Sequence, residues 1–113
     1  MSQVQPCTVV CTYTVKPGHE AEFEALLEKH WPALHGAGLA TDDPPQHFRG
    51  VPTGEPGGRS DAKGQYVEIF RWKNGDSAGL AHQMPEVMAV WEPMGAICSA
   101  MSFPHFEPFT PRA

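Results

Sequence analysis

The sequence predicts an α+β domain on the split βαβ plan: one four-stranded antiparallel sheet with two helices on one of its faces. Three observations carry that prediction. Apolar residues alternate with a period of two in the runs Thr8–Val15 and Tyr66–Lys73. After each run the period changes to that of a helix, first around Phe23 and again around Val87. The resulting order is strand, helix, strand, strand, helix, strand, which residues 1–113 accommodate as a single domain around one core.

Taken in order, Thr8–Val15 is rich in β-branched residues and places Val9, Cys11, Tyr13 and Val15 on one face. Lys16-Pro17-Gly18 ends it, since Pro17 restricts the residue before it. From His19 a stripe of Phe23, Leu26, Leu27, His30 and Leu34 predicts a helix, with Glu20 and Glu22 in the first turn to suit its dipole. Pro32 removes a backbone donor and is expected to kink or loosen the last turn before the stops at Gly36 and Gly38. After a polar connection, residues 46–51 form a short strand. Residues 52–64 hold six of the Pro and Gly residues, Pro52, Gly54, Pro56, Gly57, Gly58 and Gly64, and read as a flexible hairpin loop with nothing to pack a core. Those glycines are not a phosphate cradle, because no Lys-Ser or Lys-Thr pair follows in the right place.

The next strand carries Tyr66, Glu68, Phe70 and Trp72 on one face and Val67, Ile69, Arg71 and Lys73 on the other. Large apolar groups on both faces predict a central strand covered on both sides. Asp76 or Ser77 is placed to cap the following helix, whose stripe is Leu80, Met84, Val87, Met88 and Trp91. Pro85 divides it into two short helices and opens the second. Ile97–Phe106 reads as the last strand, its pairing ended by Pro104. The tail from Phe106 to Pro111 is apolar enough to lie over the domain or a partner subunit.

Composition excludes several partners. A formal charge of -5 argues against nucleic acid or an anionic membrane surface. No apolar run approaches the roughly 20 residues a membrane span needs, and Met1–Pro6 lacks the pattern of a secretory leader, so a cytoplasmic protein is expected. Cys7, Cys11 and Cys98 are an odd count without zinc-site spacing; they read as small buried hydrophobes, with no disulfide expected in a reducing compartment. With both helices on one side, the other face of the sheet would be left bare with its valines and isoleucine. Pairing two sheets face to face in a symmetric homodimer covers it.

The run Val9–Val15, the Lys16-Pro17-Gly18-His19-Glu20 turn, the Phe23/Leu26/Leu27 helix, the strand Tyr66–Trp72 and Ala81-His82 together resemble the dimeric α/β-barrel superfamily. Within it the chain resembles the antibiotic biosynthesis monooxygenase-like proteins, over most of the stretch from Thr8 to Phe103. That resemblance implies a ferredoxin-like domain paired into a dimeric barrel, working without metal, flavin or other cofactor. It implies oxidation of an aromatic substrate held between sheet and helices, with the substrate itself activating oxygen. The implied pocket uses His82, Glu68 and His30 as catalytic groups and Tyr13, Phe70, Trp72 and Trp91 as ligand-binding ones. A haem-degrading branch of the superfamily matches Trp72 and His82 in type, but the first strand has no asparagine where that branch carries one.

Each candidate also has a plainer role. His30 is as compatible with a core histidine bonded to a backbone carbonyl as with a pocket residue. Glu68 is placed to pair with Arg49 or Arg71 as a structural ion pair. Trp72 and Trp91 suit core or interface packing. His82 lies on the helix wheel nearly opposite Leu80 and Met84, which leaves it either in water or against the sheet. A non-catalytic ligand-binding or structural protein on the same scaffold is the rival reading.

Overall fold

The computed structural model describes residues 6–58 and 61–112. Residues 1–5, which hold most of the segment read for a leader, and residues 59 and 60 of the hairpin loop lie outside the described residues.

The backbone follows the predicted order. β1 spans Cys7–Val15, α1 Glu20–Gly36, β2 Gln46–Arg49 and β3 Gln65–Trp72. They are followed by α2 (Ser77–Ala81), α3 (Pro85–Ile97), β4 (Cys98–Ser102) and β5 (His105–Phe106). The sheet is antiparallel throughout, in the order β2-β3-β1-β4, with β5 pairing farther along β1. This is the ferredoxin-like arrangement, with β3 and β1 at the centre.

Residues directly opposite one another in an antiparallel pair share a face, so the register sorts the side chains. Trp72 lies opposite Cys7, Phe70 opposite Val9, Glu68 opposite Cys11 and Tyr66 opposite Tyr13. These rows form the inner face and, Cys7 apart, are buried. α1 lays Phe23, Leu27, His30 and Leu34 on the core side, and α3 adds Val87, Val90, Met94 and Ile97. The Phe23 ring sits 4.9 Å from those of both Tyr13 and Tyr66. Removing a side chain of that size from water contributes about 1.5–3 kcal/mol, so the packing of α1 on the sheet outweighs any propensity term in holding the domain together.

Several expectations are corrected. α1 continues through Pro32 to Gly36. Its last turn is held instead by fully buried Leu34 and by N–H groups of Ala37, Gly38 and Leu39, which donate to the carbonyls of Ala33, His35 and Leu34. Neither Asp76 nor Ser77 caps α2 with its side chain; Asn74 Oδ1 accepts from the Asp76 N–H and the Ser77 hydroxyl. Leu80, placed in the apolar stripe, is 48% exposed, because α2 stops at Ala81 and buries Ser77 and Ala81 in its place. The break at Pro85 resets the helical phase, so the stripe of α3 runs through Val87, Val90, Met94 and Ile97. Ile97 therefore ends a helix rather than opening a strand, and Pro104 divides the last strand into β4 and β5.

The β2–β3 loop is built on close backbone approach. A Cβ at Gly50 would lie 1.8 Å from the Ala62 carbonyl oxygen, so this position admits only glycine without a backbone shift. Asp61 accepts from both the N–H and the hydroxyl of Thr53. The outer face of the sheet is left bare by the helices, as expected: Val10, Val67 and Ile69 are only half-buried, and Phe48, opposite Val67, is 54% exposed. Phe106 pairs with β1 but is itself exposed, and Phe109 is 82% exposed, so the tail does not lie over the domain that carries it. Among the described residues no helix is long and apolar enough to cross a membrane, and no cluster of His, Cys, Asp or Glu is placed to hold a metal.

Candidate functional site

Between the inner face and the helices lies a cavity of about 270 Å³. β1 lines it with Val9, Cys11 and Tyr13, and β3 with Phe70 and Trp72. His30 comes from α1, Trp91 and Met94 from α3, and Met101, Phe103 and His105 from the end of the chain. The walls are overwhelmingly apolar, so each polar atom that reaches them matters more than it would at the surface.

Glu68 is that wall's anchor. It sits mid-strand on the inner face with no exposure, where an unpaired carboxylate would be costly. The structure satisfies it with two histidines rather than with Arg49 or Arg71. His30 Nδ1 lies 2.5 Å from Oε1, and His47 Nε2 lies 2.7 Å from Oε2. Arg49 pairs with Glu24 and Arg71 with Asp43. The reason is register: His47 stands directly opposite Glu68, whereas Arg49 is opposite Tyr66. Arg71 points to the other face, as an odd position on β3 must.

His30 is 2% exposed, and its ring bonds to side chains rather than to a backbone carbonyl. Its second nitrogen, Nε2, accepts the indole N–H of Trp91 at 2.7 Å. The ring proton therefore sits on Nδ1, donated to Glu68, and the lone pair that would make His30 a base is covered by Trp91. His82, the exposed residue after α2, stacks edge-on against the same indole, with ring centroids 4.9 Å apart. Glu68, His30, Trp91 and His82 thus form one chain of contacts, and three of them, His30, Trp91 and His82, border the cavity.

Two further groups are left open. The Tyr13 hydroxyl and the Trp72 indole N–H are buried and have no oxygen or nitrogen partner among the described residues, the Tyr13 hydroxyl facing only the weak Cys11 thiol, and both side chains line the cavity. Burial, reinforced by the neighbouring Cys11 and Glu68, pushes the Tyr13 hydroxyl far above its ordinary range, so it remains a donor. Burial, with Glu68 nearby, also pushes the Cys11 thiol up to about 12, which removes it as a nucleophile. Cys11 and Cys98 are buried, and no disulfide forms among the described residues.

The seven residues singled out from the sequence are brought together here, but not all by contact with the cavity. Tyr13, His30, Phe70, Trp72, His82 and Trp91 line it; Glu68 stands behind His30. The residue missed is His47. Its position on a short exposed strand gives no periodic signal, and its register against Glu68 exists only once β2 and β3 pair. Met101, Phe103 and His105 were missed as lining groups for a related reason, since only the closing strand brings them back to the site.

No protein-family model matches the chain, and no curated protein is detectably similar in sequence. Solved structures are similar in fold. The cofactor-independent oxygenase SnoaB from Streptomyces nogalater superposes with a TM-score of 0.67 at 20% identity, over 95% of this chain and 96% of that one. A Bordetella bronchiseptica protein provisionally assigned as an antibiotic biosynthesis monooxygenase gives 0.71 at 18% identity, over 94% and 99%. A Mycobacterium tuberculosis protein gives 0.68 at 12% identity, over 96% and 100%. Over almost its whole length, the chain has the ferredoxin-like fold seen in antibiotic biosynthesis monooxygenase-like proteins.

Proposed function

We propose that this protein is a cofactor-independent monooxygenase acting on an aromatic substrate held in the cavity between sheet and helices, and that it works as a homodimer. One observation carries the reading: an apolar, aromatic-walled cavity holds two orphaned donors, Tyr13 and Trp72, together with a histidine backed by a buried carboxylate. Orphaned donors in such a wall suit a ligand that brings oxygen acceptors, as a phenol or ring ketone does. The likeness in fold to a cofactor-independent oxygenase supports the same class of reaction.

In this reading the ring oxygen of a fused phenol takes the Tyr13 and Trp72 donors. His30 Nε2, released by Trp91, accepts the substrate proton, and Glu68 stabilises the resulting imidazolium. The electron-rich anion then reduces dioxygen directly. For a ring CH₂ group the balance is CH₂ plus O₂ giving C=O plus H₂O, so the substrate supplies all the electrons. The half-exposed outer face, with Phe48, Val10, Val67 and Ile69, supports pairing with a second copy.

The test is oxygen uptake with a panel of fused-ring phenols that carry an oxidisable CH₂. We expect uptake matched one to one by ketone formation, a fall of roughly 100-fold or more in kcat for His30→Ala, and a dimer by mass measurement at micromolar concentration. Binding of the panel without oxygen uptake would leave a ligand-binding protein instead.

A further inference from the structure

The cavity is closed off from water on its His30 side, so a proton taken there needs a way out. Glu68 has no exposure and His30 is 2% exposed, yet the carboxylate's far oxygen meets His47, whose side chain is 43% exposed. His30, Glu68 and His47 therefore run without a gap from the cavity wall to the edge strand of the sheet. We propose that His47 is the proton exit of this site, a positioning residue that reaches the substrate only through Glu68 and His30. The inference rests on the oxygenase reading for its purpose but not for its geometry.

The arrangement argues for a relay rather than for anchoring alone. Glu68 is already fixed by β3 and by His30, so a second buried partner is not needed to orient it. A strand residue with no proton to pass on would satisfy Oε2 as well. His47 instead opens on a second groove, shared with Glu24 and Glu28 of α1, Tyr66 of β3 and Arg49 of its own strand. That groove opens to water, which takes the emerging proton, and Arg49 is held by Glu24 rather than by Glu68.

The proton count closes. His30 takes a proton on Nε2 and gives its Nδ1 proton to Oε1 of Glu68. The carboxyl turns about its terminal C–C bond and offers that proton to Nε2 of a His47 tautomer protonated on Nδ1. His47 releases its Nδ1 proton to water and exchanges tautomers through solvent, which its exposure allows. The reverse passage, from water through His47 and Glu68, returns a proton to His30 Nδ1 while Nε2 gives its own to the product water. The resting tautomer is thus restored, the oxidation releases no net proton, and no electrons move in the relay.

The experiment uses the intact protein without substrate. The short hydrogen bond from His30 Nδ1 to Glu68 should give a strongly deshielded proton resonance, whose exchange with water is measured in wild type, His47→Gln and His47→Phe. Glutamine can still donate to Glu68 but cannot pass a proton on. We expect exchange to slow by roughly tenfold or more in both variants, and added imidazole to restore it in part. Exchange at the wild-type rate in both variants, or restored by glutamine alone, overturns the relay. Because no turnover is involved, slowed exchange in a protein that oxidises none of the phenol panel would uphold the relay and remove the oxygenase reading; the opposite pair of results would do the reverse.

Discussion

Two carboxylates on the α1–β3 side of the domain each bind two partners, and they differ in almost everything else. Glu68, buried on β3, holds His30 and His47. Glu24, on the solvent side of α1, accepts the Tyr66 hydroxyl at 2.6 Å and Arg49 at 3.0 Å. Tyr66 and Glu68 are neighbours on one face of β3, so the two networks lie side by side. Water is what separates them. The exposed network is screened and replaceable; the buried pair of Glu68 and His30 is neither, because either group would be left unpaired out of water if its partner left.

The comparison is broken most severely at Glu68. Glu68→Ala leaves two histidines facing a void, and a loss of about 3–5 kcal/mol is expected in denaturant unfolding, as when one partner of a buried pair is removed. Glu68→Gln should lose less, since the amide still accepts from one ring. A smaller effect follows at the other end of the chain of contacts. Trp91→Phe removes the indole donor while keeping the ring packed, which should cost about 0.5–1.5 kcal/mol. It should also uncover His30 Nε2, tightening the binding of phenols in a calorimetric titration.

Chemical modification sharpens the same contrast. With its thiol held near 12 and buried, Cys11 should resist alkylation at neutral pH in the native protein and react only after unfolding, as read by mass spectrometry. The exposed network should show the least. Hydrogen bonds from Tyr66 and then Arg49 hold the Glu24 carboxyl below its ordinary range. A depressed folded value contributes stability above the unfolded range that is lost as pH falls through the folded one. Glu24→Gln should therefore flatten the acid limb of a stability–pH curve slightly, and less so at high salt, with little change near neutrality.

How much of this was legible in the sequence depends on whether a feature is local. The strand run at Val9–Val15 and the helix stripe through Phe23, Leu27, His30 and Leu34 were readable because periodicity and burial coincide there. So was the inner face of β3, from Tyr66 to Trp72. Glu68 and His30 were recognised as candidates, but their pairing was not, because the partner of a strand residue is set by register and helix placement. The Arg49 and Arg71 alternatives failed on register and on face, respectively. Leu80 failed because Pro85 resets the helical phase, which a single continuous wheel does not register. His47 gave no signal at all, since an isolated histidine on a four-residue strand looks the same whether it faces a carboxylate or water.

The bond from the Trp91 indole to His30 also makes the site observable in light. Of the three tryptophans, Trp91 alone has its N–H on the histidine that the proposed substrate must claim. A ligand that takes Nε2 must release that indole, and a released indole emits from a different environment. The fluorescence of the intact protein, less that of Trp91→Phe, would then report occupancy of the cavity before any product has formed.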